Sequence, residues 1–492
     1  MMSRASILLS TLAFALVVIP TRHASADVCN QPAAVLGDQL IIGGSMSTTG
    51  PQLAAVLESL TPGLDLEPTD QLPGRPVYLM QASWPADWTL ADVEVWIDAT
   101  LSAGLPQFAW MELDYLGQVP GGGTGSIFVD GLTDDQVVSL QYARDRIGLP
   151  PAAARADGRG TVVAVLDTGI DAQHPVFAGA IVPGGFDFVT GTADVSDRND
   201  GSDSDGDGTA NELVGHGTFV ASMVRFVAPG ARILPVRVLD GDGNGRLWTL
   251  ARGIVHAVDR GVEVINVSIV SDYDSAAVEA AINEATALGI VVVASSGNCS
   301  GTERLFPAAK SNVLGVAATD RLDRKAGFSN YGDDIDLAAP GASPLVGMPD
   351  PATSILGALP GGRWGAGSGT SFAAPLVAGV AALVRAQHPE WLPDETTQFA
   401  IEQAILLACD DLSASDPNFG GQLGAGRLDA GAAVLAGPVQ PAEGDLNGDG
   451  WIDGADFGIM LAQWGFAHSS ADLNGDGVVD GADLGRLLTR WN

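Results

Sequence analysis

Positive charge is what this chain most conspicuously lacks. Lys310 and Lys325 are its only lysines, and 24 basic side chains stand against 59 acidic ones, for a formal charge of −35. So acidic a surface repels phosphate backbones and anionic membranes, which excludes nucleic acid as a partner. Cysteine is scarce too. Cys29, Cys299 and Cys409 are too few for a disulfide framework; they allow one bridge with one thiol left over, and nothing local chooses the pair. Past the first residues, no run is long and apolar enough to suggest a transmembrane segment in the mature chain.

The first residues have a different character. Arg4 precedes an apolar run from Ile7 to Ile19, and Ala24-Ser25-Ala26 has the small-residue pattern of a leader cleavage site. Residues 1–26 are therefore expected to be a signal peptide, with Asp27 opening a secreted or cell-surface protein. From 27 to 118, Pro76–Met80 and Phe108–Leu113 read as strands around an amphipathic helix, Leu90–Ala103. Pro120 and the glycines that follow begin a linker, set at 119–137. From 138 to 436, short apolar runs at 161–166, 233–239, 262–267, 290–294 and 313–317 alternate with helical patterns at 247–260 and 275–288. Runs of that kind are buried on both faces, so the fold class is α/β, a doubly wound and mostly parallel sheet. A second linker at 437–443 leads to a compact tail, 444–492.

Three segments of the α/β region carry chemistry. Val165-Leu166-Asp167-Thr168-Gly169 ends a strand with an acid, Gly215-His216-Gly217-Thr218 opens a helix with a histidine, and Gly369-Thr370-Ser371-Phe372-Ala373-Ala374-Pro375 opens another with a serine. A serine hydroxyl attacks a carbonyl only when a base takes its proton, and an acid holds that base in the right tautomer. With this order and these contexts, the chain resembles the subtilisin-like serine peptidases (subtilases, peptidase S8) from about Gln141 to Ala436. The resemblance implies Ser371 as nucleophile, His216 as general base, Asp167 as its orienting acid and Asn298, at the end of Val292–Asn298, in the oxyanion hole. It implies a substrate cleft lined by Ser268, Ile269, Val270 and Gly297, protein or peptide substrates, and an inhibitory propeptide in 27–118. Three positions depart from the family pattern. Phe219 and Leu376 replace histidines outside the triad, and Val270 replaces a glycine, which is expected to narrow the cleft.

Acidic clusters point to Ca²⁺. Asp203-x-Asp205-x-Asp207-Gly208 has the alternating oxygens and glycine turn of a calcium loop, although Val214 stands where the twelfth, acidic residue would be. The tail is more complete. Asp445, Asn447, Asp449, Asp453 and Asp456 occupy loop positions 1, 3, 5, 9 and 12, with Gly450 at position 6 and the Trp451 carbonyl at position 7. Asp472, Asn474, Asp476, the Val478 carbonyl, Asp480 and Asp483 repeat the set. Each loop runs into an apolar helical stretch, Phe457–Trp464 and Leu484–Trp491. This paired EF-hand-like module resembles a type I dockerin, which implies a cohesin-like partner. Gly454-Ala455 and Gly481-Ala482, however, stand where such modules contact it with polar side chains.

The expectation is a secreted, calcium-stabilised serine endopeptidase made as a zymogen. An inactive subtilase-fold binding protein docked through its tail is the alternative. An esterase is disfavoured because Ser371 does not sit in a G-x-S-x-G elbow.

Overall fold

β-branched residues dominate the apolar runs, and in a parallel sheet such runs bury both faces. The computed structural model describes Cys29 and residues 34–491, apart from 46, 121–126, 129–136, 138, 202, 205–207, 343–353, 437–443, 445, 447–451, 453, 465–470, 472 and 475–477. Its centre is a seven-stranded parallel sheet in the order Leu337–Pro340, Leu314–Thr319, Val291–Ser295, Val264–Val267, Val162–Asp167, Arg232–Arg237, Phe186–Asp187. Val163 and Val165 face one layer, containing the helices His216–Val227 and Thr370–Gln387. Ala164 and Leu166 face the other, containing Leu247–Asp259 and Ala276–Ala287. This alternation is the period-2 pleat, with both faces covered.

Strand order reverses beside Val162–Asp167, whose neighbours are Arg232–Arg237 on one side and Val264–Val267 on the other. In open α/β sheets, sites collect at the carboxyl ends of strands at such a reversal. Asp167 is the last residue of that strand. The helix Thr370–Gln387 is apolar enough, by length and composition, to cross a bilayer. Its apolarity serves the core instead: Ser371 to Val384 are all buried.

Residues 35–118 form a strand-helix-strand-strand-helix-strand unit: Val35–Gly44, Gly50–Leu60, Asp65–Gln71, Val77–Ser83, Leu90–Ser102 and Phe108–Gln118. Its antiparallel sheet closes on its own core, built around Leu40, Ile42, Leu53, Leu57, Met80 and Leu113. The helix Leu90–Ser102 starts where Thr89 and Asp92 cap each other's backbone N–H. The last strand extends beyond the expected Leu113 and pairs with Asn244–Arg246 of the α/β layer.

Two acids on that strand cap helices of the other unit. Glu112 accepts from Ser275 Oγ and from the N–H groups of Ala276 and Ala277, at 2.8, 2.8 and 3.0 Å. Asp114 accepts from Arg246 Nε at 2.6 Å and from the N–H of Trp248 at 3.1 Å. Both carboxylates thereby meet orphan donors at a positive helix end.

The structure departs from expectation in several places. Ile127–Phe128, expected within a linker, is a strand pairing with Arg363–Gly367. The tail helices begin earlier, at Gly454–Ala462 and Gly481–Leu488, because Asp480 caps the first turn of the second one. Cys29 bonds Cys299, with Cα atoms 5.0 Å apart, and Cys409 is free.

Candidate active site

Asp167, His216 and Ser371 are all buried. Asp167 Oδ1 lies 2.7 Å from His216 Nδ1 and also accepts the Thr168 N–H at 2.7 Å. The carboxylate therefore fixes the ring tautomer, leaving Nε2 free to take a proton. His216 reaches Asp167 because Gly217 lets the helix start press on the turn after the strand. A Cβ there would lie 2.3 Å from the Gly169 carbonyl oxygen.

Ser371 is the second residue of its helix, and its carbonyl accepts from Ser268 Oγ at 3.2 Å. The ring of Phe372, next in sequence, lies 5.5 Å from the His216 imidazole. His216 Nε2 and Ser371 Oγ are both buried and have no hydrogen-bond partner among the described residues. Hydrogen bonds of this kind are often loose until substrate binds.

Asn298 is oriented by its neighbours. Its Oδ1 accepts from both the N–H and the Oγ1 of Thr370, at 3.0 and 2.9 Å. Its Nδ2 is thereby aimed outward, where it donates to the carbonyl oxygen of Pro120 at 2.8 Å. The disulfide on the adjacent Cys299 leaves this arrangement intact.

Two backbone edges hold the residues that precede Pro120. Gln118 exchanges both backbone hydrogen bonds with Val270, at 2.9 and 2.8 Å, and the N–H of Val119 donates to the Gly243 carbonyl at 2.9 Å. Val270 pairs through its backbone with Gln118, and its side chain is buried. Ile269 lies against Gly117, whereas Ser268 Oγ donates to the Ser371 carbonyl and the Gly297 N–H donates to Thr370 Oγ1. Phe219 packs on Phe372, with ring centroids 4.2 Å apart, and Leu376 is buried.

Sequence reasoning missed two supporting residues and one edge. Asp197 is buried and accepts from Thr168, from the N–H of Gly215 and from both the N–H and hydroxyl of Thr218. It ties the Asp167 turn to the start of the His216 helix. Burial pushes its carboxyl upward despite those donors. Thr370 orients Asn298, and its place in the Gly-Thr-Ser motif was the available signal. Gly243 had none.

The acidic loop is partly neutralised from within. Arg237 reaches Asp187 at 2.9 Å and Asp200 at 2.7 Å, and Arg198 pairs with Asp194. Asp203 accepts the N–H of Gly208 at 3.2 Å, closing a turn. Asp205 and Asp207 lie outside the described residues, as do residues 1–26, Asp445, Asn447, Asp449, Trp451, Asp453, Asp472 and Asp476. Among the described residues, no three acidic, histidine or cysteine side chains converge on one point.

The described part of the tail does fit Ca²⁺ loops. Asp456 and Asp483, the twelfth residues, are fully buried and turn back to accept the N–H of Leu446 at 2.6 Å and of Asn474 at 2.9 Å. Ile452 and Val479, one from each loop, pack together with Met460 and Leu487.

Residues 158–426 match the subtilase family, peptidase S8. The chain belongs to the subtilase family. It is 38% identical to thermitase of Thermoactinomyces vulgaris over 264 residues, 52% of this chain and 85% of thermitase. It is 36% identical to subtilisin BL of Lederbergia lenta over 263 residues, 51% of this chain and 87% of that protein. The fold is similar to that of fervidolysin of Fervidobacterium pennivorans, with TM-score 0.60 and 21% identity over 84% of this chain and 62% of that one. This subtilase is a serine-type endopeptidase with a mostly parallel α/β sheet.

Proposed function

We propose that this subtilase hydrolyses peptide bonds through Asp167, His216 and Ser371, with Asn298 in the oxyanion hole. Ser371 Oγ attacks the scissile carbonyl while His216 Nε2 takes its proton, and Asp167 stabilises the imidazolium. Negative charge grows on the carbonyl oxygen, where Asn298 Nδ2 and the N–H of Ser371 donate. Such a donor is worth about 2.7–4 kcal/mol in the transition state. His216 then protonates the leaving amine, and water releases the acyl group by the reverse sequence.

One observation carries this reading: the Asn298 amide, held by Thr370, the residue before Ser371, donates to a backbone carbonyl, that of Pro120. Residues 27–118 serve as a propeptide, a role supported by the pairing of their last strand with Asn244–Arg246 and with Val270. Residues 1–26 direct secretion, and the tail is a dockerin-like module whose partner is a cohesin-like domain. Asp445, Asn447, Asp449, Trp451, Asp453 and Asp456, with Asp472, Asn474, Asp476, Val478, Asp480 and Asp483, would hold Ca²⁺ there, and Asp203, Asp205 and Asp207 would hold it near the cleft. A bound ion would neutralise these clustered carboxylates and hold the loops.

A fluorophosphonate probe tests the reading on secreted protein. Labelling that vanishes in Ser371→Ala is expected. Absence of labelling would overturn it.

A further inference from the structure

We propose that Asp197 is a positioning residue for the triad: only as an anion does it hold the Asp167 turn and the start of the His216 helix in register, so that acid silences Ser371 through two protonations, one on His216 and one on Asp197. The proposal rests on the endopeptidase reading above and adds to it a fourth side chain with its own mark on the pH profile.

Asp197 is fixed first through its backbone. Its N–H donates to the Ile170 carbonyl at 3.2 Å, and the Ile170 N–H donates to the Val195 carbonyl at 2.9 Å. These bonds lay the segment flush on Gly169, where φ is +121° and a Cβ would lie 2.7 Å from the Val195 oxygen. The carboxylate then reaches a helix that has no cap of its own, because Gly215 stands at its N-cap with φ of +104°. Asp197 Oδ1 takes the Gly215 N–H at 2.8 Å and Oδ2 takes the Thr218 N–H at 3.0 Å. The cap of the His216 helix is thus supplied from 18 residues upstream of Gly215.

Two hydroxyls complete the set, and each is oriented by a backbone donor. Thr168 Oγ1 receives the Gly217 N–H at 3.0 Å and donates to Asp197 Oδ1 at 3.1 Å. Thr218 Oγ1 receives the Asp171 N–H at 2.9 Å and donates to Oδ2 at 2.6 Å. Each carboxylate oxygen therefore accepts two hydrogen bonds, and all four partners are spent as donors. A proton on either oxygen turns an acceptor into a donor that faces donors. The partners it displaces belong to the triad's frame. Gly215 and Thr218 bracket His216 in sequence, and Thr168 also gives its own N–H to Asp167 at 2.7 Å. Protonation therefore loosens both ends of the 2.7 Å bond between Asp167 and His216.

Acid reaches Asp197 because burial pushes its carboxyl upward against the pull of those donors, and the like charge of Asp167 adds to the push. The other charged groups around it are engaged elsewhere. Asp171 accepts the N–H groups of Gln173 and Gly361, His174 lies against the Arg363 carbonyl, and Arg225 donates to the Ala231 carbonyl. Asp187 pairs with Arg237, and Asp194 pairs with Arg198.

The test follows the rate of fluorophosphonate labelling of Ser371 across pH in the full secreted chain, with ellipticity confirming the fold at each pH. At the foot of the acid limb the wild-type rate should fall by about a hundredfold per pH unit, as two protons require. Asp197→Asn keeps the shape but sets an amide N–H₂ against two donors. It should label about a hundredfold more slowly at its optimum, the cost of a misplaced base, and fall by only about tenfold per pH unit. Thr218→Val removes one donor to the anion and should move the acid limb to higher pH, and Thr218→Ser should return it. If Asp197→Asn does not fold, the two Thr218 variants decide. A one-proton limb in the wild type, an equally steep limb in Asp197→Asn or an unmoved limb in Thr218→Val overturns the proposal, while labelling itself leaves the endopeptidase reading standing. No labelling of Ser371 at any pH overturns both.

Discussion

Thr370→Val isolates the orientation of Asn298, the proposed oxyanion donor. Valine keeps the shape of threonine but removes the Oγ1 that donates to Asn298 Oδ1 at 2.9 Å and accepts from the Gly297 N–H at 3.3 Å. The Asn298 carbonyl keeps one donor, the Thr370 N–H at 3.0 Å, so its amide can swing rather than leave. A lost neutral hydrogen bond costs about 1 kcal/mol, and a buried N–H left unpaired costs about 1–3 kcal/mol. Part of that cost is paid in the resting enzyme. The part expressed in the barrier, about 1–2 kcal/mol, lowers kcat by about tenfold. KM should stay near the wild-type value, because Asn298 acts mainly as charge develops. Steady-state kinetics read this split, and Thr370→Ser should restore kcat. A variant that raises KM at unchanged kcat, or a serine that rescues nothing, would refute the orienting role.

Two further outcomes concern stability, read on Ser371→Ala protein to avoid self-digestion. Burial pushes Asp336 up to about 7 and Glu402 up to about 8, despite the Gly315 N–H donating to Asp336 at 2.7 Å. Both carboxyls hold protons in the folded state that the unfolded chain has released. Their contribution is complete below the ordinary carboxylate range and is lost as pH rises through these values. The slope is at most about 1.4 kcal/mol per pH unit for each group. Tm should therefore fall between about pH 5 and 8, and Asp336→Asn with Glu402→Gln should flatten the fall; an unchanged profile in the double variant would contradict it. Chelation with EGTA should remove the ellipticity of Gly454–Ala462 and Gly481–Leu488 and expose the tail to added protease, whereas an unchanged spectrum and cleavage pattern would dismiss the calcium loops.

Much of the α/β unit was legible because its signals are local. The runs at 161–166, 233–239, 262–267, 290–294 and 313–317 all became strands, with ends shifted by one or two residues. The helices expected at 247–260 and 275–288 are Leu247–Asp259 and Ala276–Ala287. Elsewhere local reading misled. The glycine-rich stretch after Pro120 drew the linker too far, since Ile127–Phe128 finds its partner in Arg363–Gly367, which no nearby residue announces. Gly454 and Gly481 looked like loop residues because glycine is a poor helix former, yet a capping aspartate starts the second helix at Gly481.

The order of motifs along the chain, the pleat and helix periods, and the spacing of carboxylates were determined by sequence alone, because each is a property of residues a few positions apart. Tertiary structure decided which distant groups meet. It chose Cys29 for Cys299, buried Asp197 as a strut, and made Glu112 and Asp114 the caps of helices in another unit. It also aimed the Asn298 amide at Pro120. The physical reason is that donors, carboxylates and thiols carry no label for a partner a hundred residues away. Only the packing that buries them determines which one they must satisfy.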